Sequence, residues 1–200
     1  MVSCECEIGI AVEAAKDGVY LKPGRKFAWL NSAGPYGLGV SASSVLDPVT
    51  SIAVALKGNL EAMKAVLRPA KLPVDLIHED SGIVFEVDEL QHFTSHRSAT
   101  FDHYPEDVQV SFDIEEYRRL CTLYSPRADT AFLRDTFNFG LKGRGRQRAF
   151  YDALKDLSIP AAGMPPVIRI PVPDRDVEKA WKSSRDRVFV AIEAARTRDK

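Results

Sequence analysis

Residues 73–93 constrain the fold of this chain more than any other stretch. Two runs rich in β-branched and aromatic residues flank a short Asp-Ser-Gly turn, a pattern that predicts a β-hairpin. Successive side chains of a strand point to opposite faces, so Glu86 and Asp88 share one face of the second strand. The apolar residues that alternate with them point to the other face. The hairpin is therefore predicted to have one acidic face and one apolar face.

The length of the turn decides which acids meet across the hairpin. If residues 81–82 form a two-residue loop, Asp75 lies opposite Asp88 and diagonal to Glu86, at a backbone distance of about 7–8 Å. Any loop with an even number of residues keeps Asp75 on the face of the other two acids, because the side-chain period of a strand is two. The sequence thus predicts three carboxylates on one sheet face.

Such a face has two interpretations. Neighbouring carboxylates repel one another and each costs free energy to desolvate, and a hard divalent cation such as Mg²⁺, which prefers oxygen ligands, removes both penalties. The alternative is a solvated acidic face on an ordinary hairpin. Charge alone does not decide between them.

Composition limits the remaining possibilities. A chain of 200 residues with 27 basic and 28 acidic side chains is long enough for one sizeable core, and any nucleic-acid-binding surface on it must be local. Three cysteines form no paired framework, which favours a reducing compartment. The acidic start of the chain does not resemble a signal peptide, and no run is long enough to cross a bilayer, so a cytoplasmic protein is expected.

The rest of the chain predicts an α/β domain with a mixed sheet. Asp47 followed by Pro48 begins a helix whose apolar stripe runs to Leu67, and Asp113 has the position of a helix cap. The later elements are a helix over residues 149–157, an inner strand over 167–170 and a long helix over 177–195. We expect an N-terminal extension (1–45) and a main domain (46–200) with an insertion at about 93–146.

Two further groups of residues have open interpretations. The basic run over residues 142–148 has glycines that favour a mobile loop, and its cations suit a phosphate backbone. A solvated loop leading into a helix explains it equally well. The histidines at 92, 96 and 103, with Cys121, do not repeat the spacing of a closed zinc site, so structural zinc is not predicted.

The order of these pieces resembles the PD-(D/E)XK nuclease superfamily, in particular the branch of the very-short-patch-repair endonucleases. The resemblance is carried by "Pro-Val-Asp75", by "Ile-Val-Phe-Glu86-Val-Asp-Glu-Leu-Gln-His92-Phe", by "Arg148-Ala-Phe-Tyr-Asp152" and by "Val-Ile-Arg169-Ile". It covers residues 50–92 and 147–195, a little under half of the chain. It implies a restriction-endonuclease-like mixed sheet flanked by helices, with a long insertion after the acidic hairpin.

The resemblance also implies roles for individual residues. Asp75 matches the first metal-binding aspartate and Glu86 the acid of the second motif. Asp88 falls where many members have lysine, and is expected to orient the attacking water or to help bind metal. Gln91 and His92 match polar residues that follow this strand, with His92 as general base or acid. Glu89 departs from the pattern, because relatives have glycine there.

Further assignments follow from the same resemblance. Glu61 is matched to a helix glutamate that some members use, and the cations expected on the nucleic-acid backbone are Lys142, Arg144, Arg146, Arg148 and Arg97. The implied activity is Mg²⁺- or Mn²⁺-dependent endonuclease cleavage of DNA, with RNA as an open second substrate and a homodimer or larger complex forming through residues 93–145. Two alternatives remain: a nucleic-acid-binding module without catalysis, and an interaction subunit that works through the insertion.

Overall fold

The computed structural model describes residues 5–131 and 133–198. Groups of helices alternate with groups of strands along this part of the chain, as expected for an α/β protein. In chain order the elements are α1 (Glu5–Lys16), β1 (Lys22–Pro23), β2 (Lys26–Asn31), α2 (Leu46–Ala55), α3 (Leu60–Lys64), β3 (Lys71–Pro73), β4 (Leu76–His78), β5 (Ile83–Glu89), α4 (Ser95–Thr100), α5 (Ile114–Ala128), α6 (Arg144–Ala161), β6 (Ile168–Val172) and α7 (Val177–Arg198). Short 3₁₀ turns link several of them.

The main sheet has the strand order β1-β4-β5-β6. The pairs β1/β4 and β4/β5 are antiparallel, whereas β5 and β6 are parallel and are connected through a crossover that contains α6. A second, two-stranded sheet pairs β2 with β3. The mixed sheet predicted from the sequence is therefore confirmed at the level of fold class.

Helices cover both faces of the main sheet. On one face α6 and α2 bury the apolar side chains of a first core, which includes Val84 of β5. On the other face α1 and α7 pack against Phe85 and Val87 in a second core. The acidic and apolar faces of β5 are thus divided as the alternation predicted. The segment expected as an N-terminal extension supplies α1 and β1 to this arrangement.

The segment expected as an insertion has a small core of its own. Aromatic side chains from the region after β5 and from α5 pack together, among them Phe93, Phe101 and Tyr117. Cys121 belongs to this cluster, and burial raises the pKa of its thiol to about 12, as expected of a small buried residue rather than a nucleophile. Helix α4 packs directly on α6, so the segment shares an interface with the sheet domain.

The predicted register of the hairpin is wrong by two residues. Leu76 pairs with Phe85 and His78 with Ile83, so the loop comprises the four residues 79–82, with Gly82 at a φ of 67°. Continuing this register places Asp75 opposite Glu86 rather than opposite Asp88. Because four is also an even number, the prediction that the three acids share one face still holds.

The single helix predicted from Asp47 to Leu67 is two helices. Lys57 has a φ of 57°, and a Cβ on Gly58 would lie 2.9 Å from the carbonyl oxygen of Ala53, so the chain leaves the helix there. Asn59 then begins α3 as its N-cap, accepting a hydrogen bond from the Ala62 amide. Leu67, placed on the buried stripe by the sequence pattern, is 96% exposed.

Two other predictions need correction. Helix α6 begins at Arg144 and so includes most of the basic run expected as a loop, and it continues through Pro160 to Ala161. Strand β6 lies at an edge of the sheet, not inside it. Its apolar composition reflects burial of both faces, and the Arg187 guanidinium donates a hydrogen bond of 2.8 Å to the Arg169 carbonyl.

No helix among the described residues is long and apolar enough to span a membrane.

Candidate active site

The face of the main sheet that packs on α6 has charged side chains where β5 and β6 lie side by side. Glu86 and Asp88 of β5 project from this face, and Glu86 is in register with Arg169 of β6. Helix α6 supplies Asp152, Lys155 and Asp156, which the three- and four-residue spacing of a helix places on one side. All six side chains are buried. They form two clusters that meet along the sheet.

The first group, called here the Glu86 cluster, consists of Asp75, Glu86 and Lys155. The ammonium of Lys155 donates a hydrogen bond of 2.6 Å to Glu86 Oε2. Glu86 Oε1 is buried, and none of the described residues donates a hydrogen bond to it. Asp75 is held by the backbone of the neighbouring strand, since its Oδ2 accepts a hydrogen bond of 2.8 Å from the Val87 amide. One carboxylate is thus fixed and the other keeps an unused oxygen.

The Glu86 cluster has two carboxyl groups and one ammonium, so negative charge is in excess. Burial, and then the charge of Asp75, raise the pKa of the Glu86 carboxyl well above its ordinary value, although Lys155 acts in the opposite direction. Burial alone would lower the pKa of the Lys155 ammonium, but the charges of Glu86 and Asp75 outweigh burial and raise it. The site therefore favours a proton or another cation beside Glu86.

The second group, called here the His92 cluster, consists of Asp88, His92, Asp152 and Arg169. Arg169 Nη1 donates to both carboxylate oxygens of Asp88, at 2.8 and 2.9 Å. His92 Nδ1 lies 2.9 Å from Asp152 Oδ2 and 3.3 Å from Asp88 Oδ1. Burial alone would raise the pKa of Asp152, but the facing charges of His92 and Arg169 lower it below its ordinary range.

The His92 cluster is tied to the insertion by hydrogen bonds. The Tyr117 hydroxyl donates to Asp88 Oδ2 at 2.9 Å. Arg169 Nε donates to Asp156 Oδ1 at 2.7 Å, and the other oxygen of Asp156 accepts from Arg97 and from the Tyr104 hydroxyl. Each member is therefore positioned by partners from more than one element, which favours a rigid arrangement.

The three acids predicted as metal ligands lie on one face but fall into different clusters. Asp75 and Glu86 share the Glu86 cluster, whereas Asp88 is paired with Arg169. In the described part of the chain, the one group of three or more potential ligands whose atoms all lie within 4.8 Å of one another is Asp88, His92 and Asp152. The three predicted acids are not such a group, so the structure does not bring them around one ion.

The other predicted site residues lie at varied distances from this region. The Gln91 side chain donates to Glu89, at 3.3 Å, and His92 is held in its own cluster as described above. Glu61 is exposed on α3, and no contact among the described residues joins it to either cluster. Arg169, matched to the family strand, is completely buried between the carboxylates.

The basic run is less available than the sequence suggested. Arg146 donates to the carbonyl oxygens of Phe139 and Leu141, at 2.6 and 3.1 Å. Arg148 reaches the Gln91 carbonyl at 3.4 Å, and burial lowers the pKa of its guanidinium. Lys142, by contrast, is exposed. Arg97, also considered for a phosphate contact, is fully buried against Asp156, and so is a structural cation.

Lys155 and Asp156 are the site residues that sequence reasoning missed. Both lie in a helix whose buried side also includes apolar residues such as Leu154 and Leu157. A lysine and two aspartates at three- and four-residue spacing on the buried side of a helix were the available signal.

No protein-family model matches the chain, and neither a curated protein nor a solved structure matches it.

Proposed function

We propose that this protein is a metal-dependent nuclease that hydrolyses phosphodiester bonds in DNA at the Glu86 cluster. A mixed sheet with helices on both faces is compatible with the restriction-endonuclease-like core that the sequence resemblance implies. Two acids, one directly before β4 and one in β5, lie beside a buried ammonium. The superfamily pattern calls for a lysine at position 88, and Lys155 brings an equivalent charge to Glu86 from α6.

The unpartnered Glu86 Oε1 is the observation that carries this proposal. A buried carboxylate oxygen without a hydrogen-bond donor is costly, and natural proteins seldom retain one without a use. Its neighbour Asp75 supplies further carboxylate oxygen, which is the ligand type that Mg²⁺ and Mn²⁺ prefer. Asp75 is half-buried, so it is partly exposed to solvent, whereas Glu86 is buried. The residues present fit a hard divalent cation.

Each residue has a distinct task in this proposal. Asp75 and Glu86 would hold the cation, which supplies activation of water and neutralisation of phosphate charge. Lys155 holds Glu86 by one of its three N–H groups, and within the described residues Glu86 is the one acceptor that it reaches. Its remaining N–H groups are available to a phosphate oxygen or to the attacking water. The Val87 amide keeps Asp75 oriented.

The nucleic acid would approach along α6 from its N-terminus. Just before that helix, Phe137 and Leu141 are 77% and 79% exposed, and Arg134 and Lys142 are exposed beside them. Apolar side chains that offer a face to bases, next to cations for phosphates, suit a strand whose bases are unstacked. Arg144 and Lys155 are eleven residues apart in α6, which corresponds to about 16 Å at the helical rise per residue.

Cleavage assays on supercoiled plasmid, with Mg²⁺ or Mn²⁺, test the proposal directly. Glu86→Gln and Lys155→Met are expected to reduce the cleavage rate by about 100-fold or more, as for removal of groups that stabilise transition-state charge. Glu61→Gln, a change at an exposed glutamate, is the matched control and should cleave like the wild type. A folded wild type that leaves DNA and RNA substrates intact with either metal would refute the nuclease proposal.

One observation favours a second candidate, a nucleic-acid-binding module without catalysis. Asp88, at the position where relatives have lysine, is paired with Arg169 in a buried contact that resembles a structural ion pair. In this case the wild type and Glu86→Gln would bind DNA with equal affinity and steep salt dependence, and neither would cleave it.

A homodimer through residues 93–145 stays a prediction, which sedimentation of the purified chain tests.

A further inference from the structure

The three potential ligands of the His92 cluster lie close enough together to surround one metal ion, since one ligand atom from each lies within 4.8 Å of the others. Zn²⁺ binds imidazole nitrogen and carboxylate oxygen at about 2.0–2.2 Å, so neighbouring ligand atoms in a tetrahedral shell lie about 3.3–3.6 Å apart. His92 Nδ1 lies 3.3 Å from Asp88 Oδ1, which matches an edge of such a shell. It lies 2.9 Å from Asp152 Oδ2, so these two atoms would move apart by a few tenths of an ångström when a metal ion binds.

Hydrogen bonds from Arg169 and Tyr117 use three lone pairs of the Asp88 carboxylate, which leaves one to bind a metal ion. Its Oδ2 accepts from Arg169 and from Tyr117, and its Oδ1 accepts from Arg169. A carboxylate has about four lone-pair sites. The remaining lone pair of Asp88, on Oδ1, faces His92 Nδ1. Asp152 Oδ2 faces the same nitrogen. Two anionic oxygens therefore converge on one ring nitrogen, which can carry a single proton.

The cluster is accessible from the side of His92. The carboxylates of Asp88, Asp152 and Asp156 are accompanied by the guanidiniums of Arg97 and Arg169, and further cations act on Asp152. The His92 side chain is 17% exposed, whereas those of Asp88 and Asp152 are 1% and 3% exposed, so the imidazole side provides access for an ion.

We propose that Asp88, His92 and Asp152 bind one divalent transition-metal ion, with Zn²⁺ as the best match and Mn²⁺ as the alternative. Mixed imidazole and carboxylate ligands suit these ions better than Mg²⁺, which prefers oxygen alone. The metal takes the place of the Nδ1 proton, and Arg169 fixes the Asp88 carboxylate as a supporting partner. Three protein ligands leave a coordination position for water. This site is separate from the Glu86 cluster and does not depend on nuclease activity.

Metal uptake by the purified full-length chain tests the site. Titration calorimetry and elemental analysis after dialysis, in excess Mg²⁺ to saturate oxygen-only sites, are expected to give one Zn²⁺ per chain. His92→Gln should weaken Zn²⁺ binding at least 10-fold, and Asp152→Asn should do the same. His103→Gln and Asp102→Asn change the same residue types outside the cluster and should bind Zn²⁺ like the wild type.

A spectroscopic measurement on the wild type keeps the test independent of how the variants fold. X-ray absorption of the Zn²⁺-loaded protein should show scattering from one imidazole and first-shell neighbours at the distances of nitrogen and oxygen ligands. Zn²⁺ should also raise the melting temperature of the wild type and not that of folded His92→Gln. No uptake by the folded wild type, retention by His92→Gln, or a zinc shell without imidazole would overturn the assignment and leave the cluster joined by a proton alone.

Discussion

At the scale of single residues, the position of one lysine changes the interpretation of the site. The sequence placed an acid, Asp88, where the superfamily pattern has lysine, which suggested a site without its cation. Lys155 is 67 positions beyond Asp88 in the chain, and only the packing of α6 on β5 brings its ammonium to 2.6 Å from Glu86. Strand alternation placed the acids on one face, but no local pattern specifies the partner that a helix brings to that face.

Separating the two members of the Lys155–Glu86 pair should reveal its contribution to stability. Lys155→Met leaves a buried carboxylate without a donor, and we expect the free energy of unfolding to fall by about 3 kcal/mol. The double variant Lys155→Met with Glu86→Gln should recover most of that loss, because no buried charge remains unpaired. Urea denaturation of the two single variants and the double variant measures the coupling. Strictly additive effects would contradict a direct interaction.

The raised pKa of Glu86 predicts a pH dependence of stability. Below the ordinary value of 4.5, the carboxyl is protonated in both the folded and the unfolded chain, and its full contribution is present. As the pH rises above 4.5, the unfolded chain loses the proton first, so the stability of the wild type falls until the folded pKa is passed. Glu86→Gln has no such titration. The difference in unfolding free energy between variant and wild type should therefore shift in favour of the variant as pH rises.

Glu79→Gln serves as the contrasting control for that experiment. A hydrogen bond from Lys22, and then its charge, lower the pKa of Glu79, so the contribution of this residue is lost as pH falls rather than as it rises. The two difference curves should have opposite slopes. Unfolding free energies measured by urea denaturation from pH 4 to pH 8 provide both curves, and parallel curves would contradict the assignment of Glu86.

At the scale of elements, the sequence predicted types better than boundaries. Helices at α5, α6 and α7 and the strands of the hairpin were found, because each has a clear apolar period or a recognisable cap. The helix expected to run to Leu67 failed because Ile52, Leu56, Leu60 and Met63 keep a helical spacing across Gly58, where the backbone does not. Periodicity records which residues are buried, and two short helices at an angle can bury the same set as one long helix.

The contact between α4 and α6 shows why the insertion does not behave as a separate unit. Arg97 of α4 is completely buried, donates a hydrogen bond of 2.5 Å to Asp156 of α6, and lies 4.4 Å from the centre of the Phe101 ring. Its guanidinium also reaches Thr100 and Tyr104. One side chain therefore joins the insertion to the helix that carries both clusters.

Removing this side chain should destabilise the whole protein. We expect Arg97→Ala to lower the free energy of unfolding by about 3–5 kcal/mol, because it removes one of the two buried guanidiniums that pair with Asp156 and the hydrogen bonds to Thr100 and Tyr104. Arg97→Lys should not restore stability, since a single ammonium cannot reproduce the fork of hydrogen bonds. Arg119→Ala, at an exposed helix position, is the control and should have a stability close to that of the wild type. Thermal and urea unfolding measure all three.

At the scale of the whole molecule, the near-neutral net charge conceals a local asymmetry. Residues 133–148 contain four arginines and one lysine against a single aspartate, and they lie at the end of α6 that leads to the Glu86 cluster. The sequence identified the part of this segment over residues 142–148 as a basic run but treated its cations alike. The structure separates them, because carbonyl oxygens hold Arg146 and Arg148, whereas Arg134 and Lys142 are exposed on the surface beside Phe137 and Leu141.

That separation predicts different effects of two kinds of substitution on DNA binding. An exposed cation that contacts a phosphate releases about one counterion, so Lys142→Ala should reduce the slope of log affinity against log salt by about 1, and Arg134→Ala should do the same. Phe137→Ala removes a stacking surface, which contributes about 1–3 kcal/mol per base, and should weaken binding with the slope unchanged. Fluorescence anisotropy with a single-stranded oligonucleotide in EDTA, at several salt concentrations, separates the two effects without any cleavage.

Val40→Ala, at an equally exposed apolar residue in another region, is the control for Phe137. If Phe137→Ala and Val40→Ala both bind like the wild type, bases do not stack at this surface, and the approach of the strand along α6 must be abandoned.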